Sequence, residues 1–235
     1  MPGVIQAMAV SGARAAPLLA LVEAVLFLPI RVRRRLQSWR RFRVRSEATE
    51  GIRRSLEGFT DLNADSHRAL FNVALYLLLL DQDLSDFTDD LVCSMGERRR
   101  VFVAKQEAAL LYEAAEDLPQ LLGKSFRDAI RVLGISDQQQ RHLDLASSEL
   151  SKFWQKEREF LGSIRNAVAA HREHDALGYL EALEGVKPLE VMARGADLSE
   201  RIESLVKVIG DIAGAASGPH AILGDMIAHG KNRAG

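Results

Sequence analysis

From residue 46 onward the apolar positions of the chain recur every three or four residues, and no stretch alternates apolar with polar as a half-buried strand would. That spacing predicts an all-α fold, an antiparallel helical bundle, over residues 46–216. Asp65 or Ser66 can cap a helix running through Ala69, Val73, Leu77 and Leu80, with Asp81-Gln82-Asp83 breaking the apolar run. A second helix is expected from about Glu97 to Leu118, turning Val101, Ala108, Leu111 and Ala115 inward. Pro119 is expected to open the next, which continues through Phe126 and Ile130 until Gly134 ends it. Asp137 starts a long helix carrying Leu143, Leu150, Phe153, Phe160 and Ile164. After a turn at Gly185 and Lys187-Pro188, a final helix spans 189–212 with Leu198, Ile202, Leu205 and Ile209 at helical spacing. The Gly218-Pro219 pair and the polar end Lys231-Asn232-Arg233 read as a loosely ordered tail over 217–235.

Ahead of the bundle lies a different pattern. Residues 15–30 are apolar apart from Glu23, but a helix of that length spans about 24 Å against a hydrocarbon core of about 30 Å. The positive charge follows this run instead of preceding it, which speaks against a secretory signal. After Pro29, Val32, Leu36, Trp39 and Phe42 recur at three to four residues among arginines, the pattern of an amphipathic helix that lies on a surface. Packing on the body or on a dimer partner, a membrane surface and a true span are all open on this pattern, with the first favoured.

Charge sharpens the division. The chain holds 31 basic and 32 acidic residues, yet residues 1–45 contain nine arginines against one acid, so an arm of +8 is joined to a body of −9. Such a split suggests a polyanion or an anionic membrane as partner of the arm, through Arg31, Arg33, Arg34, Arg35, Trp39, Arg40 and Arg41. Arg98-Arg99-Arg100, at a helix start, run against the helix dipole and call for acidic partners or a phosphate. The lone Cys93 cannot form an internal disulfide; it fits a reducing, cytoplasmic setting and reads as a small buried residue.

Chemistry concentrates late in the long helix, at Arg165-Asn166-Ala167-Val168-Ala169-Ala170-His171. Arginine offers a fixed cationic fork for phosphate, imidazole moves a proton near neutral pH, and an amide can orient either group. On a straight helix six positions separate Arg165 from His171 by about 240° and roughly 9 Å, so one helix face cannot hold both. Either the helix bends or a second copy of the chain completes the site. His171, His174 and Asp175 share one face at i, i+3 and i+4, a weak metal reading without the glutamate-bearing zinc signature. Asp86, Asp89 and Asp90 lack the glycine and terminal glutamate of a calcium loop and read as helix-start acids. No glycine-rich phosphate loop or dinucleotide fingerprint is present, and no cofactor or metal is expected. His67, His142, His220 and His229 stand isolated and receive no role.

The run Ile164-Arg165-Asn166 followed by Ala169-Ala170-His171-Arg172 resembles the signature of the HEPN superfamily: Arg, a polar residue, then His after four to six positions. Four residues lie between Asn166 and His171 where the commonest form has three. The wording "RN…AAHREHD" is similar to a branch related to abortive-infection proteins. The resemblance implies catalytic roles for Arg165, Asn166 and His171, RNA contacts from Arg172 and His174, and a homodimer that apposes two motifs. It further implies a metal-independent endoribonuclease in a defence or toxin setting, with an antitoxin or defence partner. The competing expectation is a non-catalytic helical interaction module held at a membrane surface by its arm.

Overall fold

The computed structural model describes residues 28, 29, 32, 33, 36, 39, 41–94, 96–169 and 185–233, and of 167–169 and 227–233 the backbone alone. Every element among these residues is a helix, as the periodicity predicted. Helix α1 covers 41–61, and the described residues ahead of it are helical too. It is followed by α2 (Asp65–Cys93), α3 (Glu97–Leu121), α4 (Lys124–Val132), α5 (Asp137–Ala169), α6 (Pro188–Ala216) and α7 (Pro219–Arg233). Four long helices form the bundle: α2 packs on α3 and α6, α5 packs on α3 and α6, and α3 also meets α6 across the middle. The short α4 lies against α2 and α7.

The apolar seams explain this arrangement. Leu70, Leu77, Leu84 and Leu91 repeat every seven residues along α2 and are all buried. They meet Ala104, Ala108, Leu111 and Leu118 of α3, Leu143, Leu150, Phe153 and Leu161 of α5, and Leu198, Ile202, Leu205 and Ile209 of α6 in one core. Small residues on α3 let it approach three neighbours, α2, α5 and α6. On α6, Gly195 makes the central crossing possible, because a Cβ there would run into the Glu107 carboxylate of α3.

Several boundaries differ from the sequence expectation. The acids at 81–83 do not end α2; Leu84 and Leu91 continue its seam, and Asp81 pairs with Arg45 of α1 at 2.6 Å. Pro119 does not open a helix. It sits within the last turn of α3, and Gly123 then turns the chain into α4. A side chain at Gly123 would press on the Gln120 carbonyl at 2.8 Å, so glycine is needed at that turn. Gly134, at φ 71°, ends α4 as expected. At the start of α3, Arg99 lies 5.5 Å over the Phe102 ring and Arg100 donates to the Ser94 carbonyl at 3.3 Å.

The segment read as a loose tail is the helix α7, and it explains a histidine that had no role. No side chain of α2's own caps its N-terminus. Asp225 of α7 does so instead, accepting hydrogen bonds from the backbone amides of Ser66 at 3.3 Å and His67 at 3.0 Å. Its Oδ2 also lies 2.7 Å from His67 Nδ1, while His67 Nε2 lies 3.0 Å from the Ala216 carbonyl at the end of α6. Phe59 of α1 stacks on the imidazole at 4.7 Å between centroids. His67 and Asp225 are both fully enclosed.

Two predictions follow from buried charge. Burial raises the Asp225 carboxyl, but the hydrogen bonds from His67 and Ser66 outweigh it and hold the group below its ordinary 3.8. Its contribution to stability is therefore present above that value and lost as pH falls through the lower folded value. Asp225→Asn should cost about 3 kcal/mol or more by leaving the buried partners unmatched, and should blunt the acid limb of the unfolding profile. Thermal melts between acid and neutral pH check both effects. Glu107 behaves oppositely: both carboxylate oxygens are buried without a hydrogen-bond partner, and burial pushes its pKa from 4.5 to about 7. The folded state then holds a proton that the unfolded chain releases, so stability falls as pH rises across that window, by up to about 3 kcal/mol. Glu107→Gln should raise the melting temperature by several degrees at pH above the window and hardly at all below it.

Candidate functional site

The exposed face of α5 builds the site. Trp154, Arg158, Gly162 and Asn166 follow one another at four-residue spacing, so they stack along one ridge of the helix, while Leu150, Phe153, Glu157, Leu161 and Ile164 face the core. At Gly162 the ridge has a gap, and Tyr112 of α3 fills it. A Cβ on Gly162 would come within 3.3 Å of Tyr112 Cε2. With the gap open, the Tyr112 ring meets the Trp154 ring edge-on, at 4.9 Å between centroids and 81° between planes.

Arg165 completes this arrangement from the next turn. Its guanidinium carbon lies 4.7 Å from the centre of the Tyr112 ring, within the range of a cation–π contact. The contact orients a side chain that is otherwise exposed. Asn166 is exposed beside it. Tyr112, Trp154, Arg158, Gly162, Ser163 and Asn166 line an open cleft of about 560 Å³, together with one acid, Glu159. Such a cleft combines flat aromatic surface, cationic donors and a side-chain amide, groups that suit a planar base and an anionic phosphate.

The ridge is held by the packing behind it. Glu157 is buried on the core side of α5 and ties it to α6: Arg194 donates from Nε to Glu157 at 2.6 Å, and Lys156 pairs with the other oxygen at 2.9 Å. Burial raises the Glu157 carboxyl, and the hydrogen bonds from Lys156 and Arg194 more than reverse this, leaving it below its ordinary value. The Arg194 guanidinium also covers the Phe160 ring at 3.6 Å. Position along α5 is therefore fixed by polar as well as apolar contacts.

Of the residues that the sequence singled out, Asn166 lines this cleft and Arg165 rests on Tyr112, one of its lining residues. His171, Arg172 and His174 lie outside the described residues, as does the His171, His174 and Asp175 face weighed for metal. Among the described residues no group of three His, Cys, Asp or Glu side chains could hold a metal ion. Tyr112, Trp154 and Arg158 had not been singled out. The four-residue spacing of Trp154, Arg158 and Asn166 was readable in the sequence, whereas Tyr112 comes from another helix and carries no local signal. The buried His67 and Asp225 pair resembles a catalytic dyad in composition, but it is sealed from solvent and spends its donors and acceptors on helix ends.

Two further clefts differ in character. One of about 520 Å³ between α5 and α6 is lined by His142, Glu149, Glu200, Arg201, Lys207 and Asp211 among others. The other, about 590 Å³, lies between α1, α2 and α6, where Arg41 and Arg45 face Asp81, Asp89, Glu200 and Glu203. Mixed charge in both favours internal pairing over capture of an anion. No family model, curated protein or solved structure matches the chain.

Proposed function

We propose that the protein is a HEPN-like, metal-independent endoribonuclease acting as a homodimer in a defence or toxin setting. The observation that carries this reading is the Arg165 guanidinium stacked on Tyr112 at the rim of an open aromatic cleft, one residue from Asn166. A phosphate fork and a base-stacking surface lie side by side on the helix that leads into the motif. The defence setting and an antitoxin partner rest on the resemblance of the motif.

In the proposed reaction His171 takes the proton from a ribose 2′-hydroxyl, and the 2′-oxygen attacks the adjacent phosphorus. The bond to the 5′-oxygen breaks, and that oxygen leaves with a proton from the His171 of a second copy. Arg165 neutralises charge growing on the non-bridging phosphate oxygens, and Asn166 orients the phosphate or the imidazole. Arg172 and His174 contact the flanking RNA. Two copies supply a base and an acid in one turnover, which one imidazole on one helix does not. Only RNA offers the 2′-hydroxyl that the reaction needs.

The purified protein should cleave single-stranded RNA in excess chelator and leave cyclic phosphate and 5′-hydroxyl ends. His171→Ala should abolish cleavage with the melting temperature unchanged. Arg165→Ala should lower it by roughly a hundredfold or more, and Arg165→Lys should restore little, since lysine lacks the planar fork that rests on Tyr112. Cleavage that survives His171→Ala, or that chelator removes, overturns the proposal.

A further inference from the structure

The described helical residues ahead of α1, with the first turn of α1 itself, carry an apolar stripe that nothing in the described structure covers. Leu28, Val32, Leu36, Trp39 and Phe42 are each between 50% and 64% exposed. At about 100° per residue these five positions fall within an arc of roughly 120°. α1 is docked on the body further along: Ile52, Leu56 and Phe59 pack against the core, and Arg45 pairs with Asp81 of α2. Burial thus begins only past the stripe.

We infer that this stripe is a docking face for an anionic lipid surface. Charge points to that occupant. The arm's nine arginines against one acid would be drawn to anionic headgroups while the −9 body is pushed away, so the charge asymmetry itself orients the chain with the stripe toward the bilayer. Arg43 falls among the apolar positions on a helical projection, and its stem is long enough to lie along an apolar layer with the charge at headgroup level. Trp39, midway along the stripe, suits the interface between the two.

Two other occupants fit less well. An RNA strand would satisfy the arginines but leave five large apolar side chains in water. A second copy would need a matching apolar groove. The other large apolar side chains exposed on the described body are scattered singly over its elements, as Leu79, Phe102, Val132, Leu145, Leu189 and Leu223. Stripe-to-stripe pairing of two arms would set one +8 segment against another. None of the helices of the described residues is long and apolar enough to cross a membrane, and an apolar stripe flanked by arginines suits peripheral docking.

Vesicle sedimentation of the full chain tests this, using phosphatidylcholine alone and phosphatidylcholine with one third phosphatidylserine. The chain should sediment with the anionic vesicles only. Leu36→Glu with Trp39→Glu should weaken this roughly tenfold or more, with the melting temperature unchanged because both side chains are exposed. With Trp154→Phe as background, Trp39 emission should shift to the blue on binding. The inference is overturned by equal binding to neutral vesicles or by no binding at all. It is likewise overturned if the double variant keeps full vesicle affinity, or instead loses self-association or RNA affinity while vesicle affinity is unchanged. Attachment that resists alkaline carbonate would contradict peripheral docking. RNA cleavage by residues of α5 is read separately, so failure of one proposal leaves the other standing.

Discussion

His67 places both ring nitrogens within hydrogen-bond distance of oxygens inside the protein, the Asp225 carboxylate and the Ala216 carbonyl. Around this one side chain the start of α2, the end of α6, the middle of α7 and a ring from α1 are brought together. A buried polar group is costly unless matched, so the four helices are constrained to the one arrangement that matches it. Apolar seams alone tolerate sliding by a turn. The imidazole does not, and it sets the register of α2 against α6 on which the remaining packing builds. Asp225 adds to this by supplying from α7 the cap that α2 lacks.

From that frame the cleft follows by helical geometry. The face of α5 that enters the core carries Leu150, Phe153, Glu157, Leu161 and Ile164, and the contact of Glu157 with Arg194 fixes its position along α6. The opposite ridge is then obliged to present Trp154, Arg158, Gly162 and Asn166 beside α3. Tyr112 lies over Gly162 because α3 and α5 pack closely along their length, and Arg165 lies over Tyr112 because it is one short turn further on. The orientation of the proposed phosphate-binding group is thus a consequence of core packing, not of a loop.

The helical class, the inward positions of α5 and α6 and the end of α4 at Gly134 were legible because period and breaker residues are local signals. Failures came where a partner distant in sequence decided the outcome. Asp81 reads as a break until Arg45 is seen beside it. The segment after Ala216 reads as a tail until Asp225 is seen to cap α2 across more than 150 positions. His67 looked isolated for the same reason. Asn166, which lines the cleft, and Arg165, which rests on Tyr112, had been singled out as part of the motif, whereas Tyr112 comes to light only through the packing of α3 on α5.

The account turns on single-stranded RNA entering the cleft formed by Tyr112, Trp154 and Asn166. Photo-crosslinking of a thiouridine-bearing RNA to the full chain, followed by peptide mapping, tests this directly. Crosslinks at Tyr112 or Trp154, reduced when Arg165 is replaced by alanine, are the predicted result. Crosslinks confined to the arginine-rich arm or to the groove between α5 and α6, with none on the aromatic pair, would contradict it.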